Sequence, residues 1–216
     1  MSSLSTIQHL NTKRVVLASA SPRRRQILIQ LGLKFEIVPS TFPEQLEKSS
    51  FQTPSDYVLA TATEKTKEVV AKLTGSATPP DLVIGADTIV VAPDNTILEK
   101  PTSKDDAVDT LKKLRGGRNH RVLTAVVIAY LDKSRSGFLY DSFVEETIVT
   151  FGPVGDEIIE AYVETGDPMD KAGSYGYQSL AGVLVESIQG CFYNVVGFPL
   201  YRVHANLVKH VQDGRI

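Results

Sequence analysis

The sequence has little cysteine and no long apolar run. Cys191 is the single cysteine among 216 residues, which excludes an internal disulfide and a multi-cysteine zinc site and fits a reducing compartment. The longest apolar run, from Val122 to Leu131, is about half of what a bilayer span requires. With 42% hydrophobic and 22% charged residues, the composition is that of an ordinary globular chain. These observations predict a soluble protein without a membrane partner.

Net positive charge is also lacking. The formal net charge of −2 argues against a general electrostatic affinity for nucleic acid. The charge is uneven, because no acidic residue precedes Glu36. Six basic residues do precede it: Lys13, Arg14, Arg23, Arg24, Arg25 and Lys34. An acid-poor start is typical of organelle transit peptides, but residues 1–13 form only a short polar tail by sequence, and the arginines follow a strand-like segment. We therefore expect no cleaved targeting peptide.

Strand-like and helix-like segments alternate along the rest of the chain. The predicted strands cover 15–18, 35–38, 82–91, 97–98, 120–130, 138–150 and 183–188, and the predicted helices cover 22–31, 54–73, 103–114, 156–163 and 200–211. Gly32 and Gly116-Gly117 are predicted to end two of the helices. Segments 39–53 and 164–179 are predicted loops. This order predicts an α/β fold with a mixed, twisted sheet flanked by helices.

A turn of small residues joins the first predicted strand to the first predicted helix. In LASASPRRR (17–25), Ser21 is suited to cap the helix, and free backbone N–H groups at a helix start bind anions. Ser19 adds a hydroxyl, and Arg23 and Arg24 add permanently charged groups that match phosphate oxygens. Arginines alone would indicate a solvated surface helix, but the whole pattern favours a phosphate site. It lacks the Gly-Lys-Ser/Thr of a P-loop.

Two charged residues interrupt apolar patterns. Lys65 shares a predicted helix face with Val58, Ala62 and Val69. Such a cation extends to solvent, which is the simpler interpretation, or meets an anion such as a phosphate. Asp87 lies in the apolar run 82–91, where a carboxylate is costly without a metal or a cationic partner. The position of Asp87 in an apolar run therefore favours a functional role for this residue over a structural one.

Two polar loops complete the candidate set. One contains Lys100 within Glu99-Lys100-Pro101, and the other, 164–178, contains Glu164, Asp170, Lys171 and Gln178. The Gln178 amide offers both a donor and an acceptor, so it could pair with the imide edge of uracil or thymine. The alternative is an exposed loop amide. Each loop by itself is weak evidence.

Together these segments resemble the Maf family of nucleoside triphosphate pyrophosphatases. The matching stretches are LASASPRRR (17–25), GADTIV (85–90), EKP (99–101), ETGDPMDKAGSYGYQ (164–178) and CFYNVVGFPL (191–200). The resemblance implies a mixed α/β fold with a deep cleft, similar to that of the house-cleaning inosine triphosphatases, in a single domain over 14–216. It also implies a cytoplasmic homodimer that hydrolyses a small-molecule nucleoside triphosphate between its α- and β-phosphates.

The resemblance also implies residue roles. Asp87 corresponds to the family's acidic residue, which is taken as the proton acceptor and as a residue close to the metal. Glu44 corresponds to a second carboxylate proposed at the metal. The phosphate-binding positions correspond to Ser19, Arg23, Arg24, Lys65 and Lys100. The family's specificity positions are occupied here by Arg23, Thr88 and Gln178. This combination of residues resembles the dTTP/UTP branch. Thr66 replaces a frequent alanine, and Ser179 replaces a glycine, which puts the loop shape around the base in question.

The implied chemistry is metal-assisted hydrolysis. Mg²⁺ or Mn²⁺ would bridge Asp87, Glu44 and the triphosphate, since hard cations choose oxygen ligands. Lys171 is placed in the site only because it lies near the other candidates in the sequence, and it could instead tie down its loop. Ser21 adds a second hydroxyl donor to that of Ser19 in the turn before the first helix. Three alternatives stay open. They are a pyrophosphatase for 7-methyl-GTP or a modified pyrimidine, a nucleotide-binding regulator of cell division without turnover, and a nucleic-acid binder, which the net acidity disfavours.

Overall fold

The computed structural model describes residues 3–43, 46–115, 119–132, 134 and 136–216. Within these residues seven strands form one mixed sheet flanked by helices, which confirms the predicted α/β class. The helices are α1 (Ser3–Leu10), α2 (Pro22–Gln30), α3 (Pro54–Thr74), α4 (Lys104–Leu114), α5 (Asp156–Glu164), α6 (Phe192–Val196) and α7 (Leu200–Gln212). The strands are β1 (Val15–Leu17), β2 (Glu36–Ile37), β3 (Leu82–Val91), β4 (Ile97–Leu98), β5 (His120–Leu131), β6 (Phe138–Phe151) and β7 (Val185–Gln189).

The strand order is β2-β1-β3-β5-β6-β7, and β4 pairs with β3. β1 is parallel to both β2 and β3, with Val16 opposite Glu36 on one side and Val83 on the other. β4 pairs with β3 and β7 with β6 in the antiparallel sense. Parallel pairs next to antiparallel ones make the sheet mixed, as the interleaved helices and strands predict.

The chain divides into two compact units. The first comprises Met1–Asp87, Ala125–Val144 and Gly197–Ile216, and the second comprises Thr88–Thr124 and Glu145–Val196. Strands β3, β5 and β6 each contribute residues to both units. A single functional domain over 14–216 stays a prediction.

The first unit is built on the fully buried strand β1 and the long helix α3. Thr53 caps α3 in a capping box with Asp56, and Pro54 occupies its first turn, which is why the helix begins there. Val69 of α3 packs with Val16 and other buried aliphatic side chains. Helix α2 ends as predicted, because the following Gly32 has a φ of +79°, a backbone conformation that favours glycine.

The second unit has its own core. Ser103 caps α4 by accepting a hydrogen bond from the backbone of Asp106. Leu111 and Leu114 of this helix are fully buried and belong to one cluster with Phe151 of β6. The predicted end of α4 at Gly116-Gly117 lies outside the described residues.

Several segments differ from the predictions, including the predicted loop 164–179, which contains 3-10 turns at Asp167–Asp170 and Ala172–Ser174. Residues Ser3–Leu10, within the predicted tail, form α1 because Leu10 is fully buried and a polar segment with one apolar side can pack as a helix. Residues Leu180–Leu184 form a 3-10 helix, so β7 begins at Val185 rather than at 183. Phe192–Val196 is an unpredicted short helix, and Lys48–Ser50 is a 3-10 turn in the predicted loop.

Candidate functional site

The turn before α2 is organised by two serine hydroxyls. Ser21 is the helix cap, as predicted, and its hydroxyl accepts from the Arg24 backbone at 3.4 Å. The buried Ser19 hydroxyl accepts from the Ser21 backbone at 3.3 Å and from Arg24 Nη1 at 3.1 Å. The sequence Ala-Ser-Ala-Ser-Pro thus places hydroxyls and the start of a helix together, which is an arrangement suited to an anion.

Arg24 connects this turn to strand β3. Its Nη1 donates to the carbonyl oxygen of Ala86 at 2.8 Å, and its Nε donates to the carbonyl oxygen of Gly197 at 3.0 Å. Both acceptors lie in the first unit, and Ala86 is the residue before Asp87. The guanidinium is therefore held against the backbone of β3, one residue before the candidate catalytic Asp87. Arg23, one residue earlier on α2, is half-buried.

Lys65 and Asp87 form a shielded ion pair. Lys65 Nζ lies 2.7 Å from Asp87 Oδ1, and the side chains are only 12% and 11% exposed. The simpler sequence interpretation, in which Lys65 extends to solvent, is therefore wrong: the lysine meets an anion of the chain itself. The cationic partner predicted for a carboxylate in a buried strand is present.

The loop 164–178 of the second unit is tied together by Lys171. This residue is buried, and its ammonium group donates to the backbone carbonyl and the carboxylate of Asp167 and to the carboxylate of Asp170. An ammonium group has three hydrogens, so these bonds account for all of them. The loop-tying interpretation of Lys171 thus has direct support from its contacts.

Asp167 is a residue that sequence reasoning missed. Its Oδ2 accepts from the hydroxyls of Tyr162 at 2.7 Å and Ser179 at 2.6 Å, while Oδ1 accepts from Lys171. Burial opposes the charged form, but these hydrogen bonds outweigh it and lower the pKa of Asp167. The available signal was the four-residue spacing between Asp167 and Lys171 in a loop rich in Gly and Pro. Ser179, noted as a departure from the family, therefore has a structural partner.

Thr88 belongs to a buried polar network in the second unit. Its hydroxyl lies 3.0 Å from that of Thr124, which donates to the carbonyl oxygen of Asn194 at 3.2 Å. The Asn194 amide donates to the carbonyl oxygen of Val122 and to the hydroxyl of Thr147, both at 3.0 Å. Thr124, Thr147 and Asn194 are fully buried. Neither the network nor Asn194 was predicted from the sequence, since its members lie far apart in the chain.

The remaining candidates lie on the surface or outside the described residues. Lys100 and Gln178 are exposed, and Glu164 is an exposed partner of Lys104 at 2.7 Å. Asp170 is held by Lys171, as described above. Glu44, the second predicted metal carboxylate, lies outside the described residues.

Within the described part of the chain, Asp87 is the candidate ligand for a divalent cation. Among the residues that the structure describes, no group of three or more His, Cys, Asp or Glu side chains is placed to hold a metal ion. A magnesium ion, however, is commonly bound by one or two carboxylates together with substrate phosphates. Asp87 offers one such carboxylate, which fits that pattern.

The fold and these clusters define a mixed α/β protein with a lysine-paired acid beside a serine- and arginine-bearing helix start. The family model described as Maf-like protein matches residues 14–210. The chain belongs to the Maf family.

Several curated relatives are similar over most of this chain. A dTTP/UTP pyrophosphatase of Schizosaccharomyces pombe is 42% identical, covering 98% of this chain and 90% of its own. One from Caldicellulosiruptor saccharolyticus is 42% identical, covering 91% and 94%. A human protein named "Probable bifunctional dTTP/UTP pyrophosphatase/methyltransferase protein" is 50% identical over 91% of this chain, and the match spans only 32% of that relative.

A solved structure, of a HAM1 protein from Coxiella burnetii, aligns with a TM-score of 0.43 and 14% identity, over 91% of this chain and 99% of the other.

Among the described residues, no helix has the length and apolar character to span a membrane.

Proposed function

We propose that this protein hydrolyses dTTP and UTP to the nucleoside monophosphate and pyrophosphate. The family membership and the names of the relatives support this reaction. The structural observation that carries it is the ion pair of Asp87 with Lys65, held beside an arginine and the N-terminus of α2 within one unit. A buried acid with adjacent cations suits attack on a phosphoryl centre surrounded by negative oxygens.

Asp87 is the proposed catalytic residue. Its carboxylate would orient or deprotonate the water that attacks the α-phosphorus, because a carboxylate paired with a lysine is available as a hydrogen-bond acceptor. The water oxygen would form the new bond to phosphorus while the bond between the α-phosphorus and the bridging oxygen breaks. Pyrophosphate would leave with that bridging oxygen.

The cationic side chains are the proposed phosphate ligands. Ser19 and Ser21 supply hydroxyls at the start of α2, and Arg23, Arg24 and Lys65 supply charges that stabilise the departing pyrophosphate. Lys65 is proposed to divide its donors between Asp87 and a phosphate oxygen. The family resemblance adds Lys100 to this set.

Asp87 would also hold the divalent cation, Mg²⁺ or Mn²⁺, with Glu44 proposed as a second ligand from the resemblance. When bound, such a cation neutralises charge on the phosphate oxygens. The serine hydroxyls and the guanidinium groups then have the separate task of holding the triphosphate in one orientation.

Arg23, Thr88 and Gln178 are the proposed specificity residues. Thr88 and Gln178 carry hydroxyl and amide groups that can pair with a pyrimidine edge. The exposure of Gln178 leaves its amide accessible to a ligand. We also propose, from the family resemblance, that the protein is a cytoplasmic homodimer, which light scattering on a sizing column and imaging of a tagged chain would test.

The test of the reaction is a panel of triphosphates with Mg²⁺. The purified protein is incubated with dTTP, UTP, CTP, a modified pyrimidine triphosphate and 7-methyl-GTP, and monophosphate and pyrophosphate are both quantified. The proposal expects the highest kcat/KM for dTTP and UTP. Nucleotide binding without either product would instead support the regulatory alternative, and a preference for 7-methyl-GTP would overturn the substrate assignment.

A further inference from the structure

Each member of the Lys65–Asp87 ion pair already faces a group of opposite charge. Lys65 Nζ donates to Asp87 Oδ1 at 2.7 Å, and both side chains are nearly buried. As a unit the pair carries no net charge. Because little water reaches it, a third charge brought to either member is screened far less than it would be at the surface. A ligand that binds one member therefore also acts on the other.

The pair accommodates a divalent cation alone poorly. At Asp87 such a cation would lie close to the Lys65 ammonium group, which has charge of the same sign. Arg24 adds a permanent positive charge against the carbonyl oxygen of Ala86, the residue before Asp87. Like charges repel strongly in a shielded site. The ion pair consequently opposes the binding of a cation by itself.

A polyphosphate alone meets the opposite difficulty. Phosphate oxygens bound by Lys65 would lie close to the Asp87 carboxylate, and two negative groups would share one ammonium group. When phosphate and cation bind together, the charges alternate in sign from carboxylate to cation to phosphate to ammonium. Each charge then has neighbours of opposite sign, which is what charged groups in a shielded site require.

We propose that the Lys65–Asp87 pair couples the two ligands, so that a divalent cation and the polyphosphate tail of a nucleotide bind tightly only together. Lys65 opposes a cation that arrives without nucleotide, and Asp87 opposes a phosphate that arrives without a cation. The carboxylate thus stays paired until both ligands are present. This inference deepens the proposed function and rests on it. Coupling between two ligands is reciprocal, so each half can be measured by itself.

The first measurement is the binding of Mn²⁺ to the full chain without nucleotide, followed by the electron paramagnetic resonance signal of free Mn²⁺. Lys65→Met is expected to bind Mn²⁺ about tenfold more tightly than wild type, because Asp87 loses the positive charge beside it. Lys65→Met/Asp87→Asn is expected to lose that gain. Lys67→Met is the matched control, since Lys67 lies on the same helix in an exposed pair with Glu64 at 2.9 Å. Its affinity is expected to stay within about twofold of wild type.

The second measurement is the binding of α,β-methylene-UTP in EDTA, followed by isothermal titration calorimetry. This analogue has no cleavable bond between its α- and β-phosphates. Asp87→Asn is expected to bind the metal-free analogue about tenfold more tightly than wild type, because the negative charge beside Lys65 is gone. Glu64→Gln removes an exposed acid from the same helix and is expected to stay within about twofold. A merely structural role for the pair predicts weaker binding in both variants.

Cation rescue covers the case in which Lys65→Met does not fold by itself. Mn²⁺ is then expected to restore its thermal unfolding transition, because the cation replaces the missing ammonium group and binds only the folded state. No restoration, no gain in Mn²⁺ affinity in a folded Lys65→Met, or no gain in analogue affinity in Asp87→Asn would overturn the inference, even if wild type hydrolyses UTP. Both gains in a wild-type background without turnover would support the coupling and overturn the proposed reaction.

Discussion

The side chain of Thr66 on α3 fills the space that a Cβ atom at Gly85 of β3 would need. A Cβ built at Gly85 would lie 1.9 Å from Thr66 Oγ1 and 3.1 Å from Thr66 Cβ. Thr66 is fully buried and its hydroxyl donates to the carbonyl oxygen of Ala62 at 2.7 Å. The missing side chain lets α3 lie close against β3, one residue from Lys65 and two residues from Asp87.

Gly85→Ala is therefore expected to destabilise the protein. Overpacking a tight core contact costs about 1–3 kcal/mol in the free energy of unfolding, which denaturant titration followed by circular dichroism measures. Thr66→Ala in the same chain removes Oγ1 and is expected to recover part of the loss. A Gly85→Ala variant as stable as wild type would show that the two elements separate without cost.

Removing Lys65 is expected to destabilise the folded state through Asp87. Lys65→Met leaves a nearly buried carboxylate without its cation, at a cost of about 3–5 kcal/mol. The double variant Lys65→Met/Asp87→Asn is expected to be more stable than Lys65→Met alone, because no uncompensated charge remains. Thermal and denaturant unfolding of the four proteins give the coupling free energy. Additive effects would contradict the ion pair.

Asp87→Asn is expected to abolish most of the proposed turnover while keeping the fold. Removing a general base lowers the rate by about 100-fold or more, and asparagine keeps the size and an acceptor for Lys65. Pyrophosphate release from UTP is the measurement, with Asp109→Asn, an exposed carboxylate on α4, as the matched control. Near-normal turnover in Asp87→Asn would remove this residue from the mechanism.

His120 is expected to make stability depend on pH. Burial lowers its pKa from 6.5 to about 4, so the unfolded chain takes up a proton at a higher pH than the folded protein does. The contribution to stability is full above pH 6.5 and is lost as the pH falls toward 4, by about 3 kcal/mol in all at 1.36 kcal/mol per unit of pKa difference. Free energies of unfolding between pH 7 and 4 test this.

The variant His120→Gln is expected to remove that part of the pH dependence. Its ring partners, Phe151 and Tyr175, and its 2.8 Å contact with the Tyr175 hydroxyl are lost, so the variant is also less stable at pH 7. His204→Gln on α7 is the control, since that side chain is half-exposed. Identical slopes in wild type and His120→Gln would contradict the assignment.

Lys171→Met is expected to cost more stability than a comparable change on the surface. Its side chain is 9% exposed and its ammonium group holds Asp167 and Asp170, and hydrogen bonds to charged groups contribute about 1.5–3 kcal/mol each. Lys104→Met breaks an ion pair of equal length whose members are 52% and 70% exposed, so it should cost under about 1 kcal/mol. Equal losses in the two variants would argue against the loop-tying role.

Local patterns predicted the elements that depend on local chemistry. The run 82–91 was predicted as a buried strand and is β3, because continuous apolar residues suit a strand covered on both faces. Helices α3 and α4 begin where proline and capping residues indicate. Helix α1 was missed because its sequence is largely polar, and it is stabilised by burying Leu10 rather than by its own pattern.

The sequence alone determined the family, the order of most strands and helices, and the identity of the charged residues that needed partners. Only the tertiary structure decided which partners they have. Lys65 meets Asp87 across 22 residues, Arg24 meets Ala86 across 62, and Thr88 meets Thr124 across 36. The tendency of a residue to form a helix or a strand depends on its neighbours within a few positions of the sequence. A hydrogen bond between distant residues, in contrast, forms only when folding brings the donor and the acceptor together.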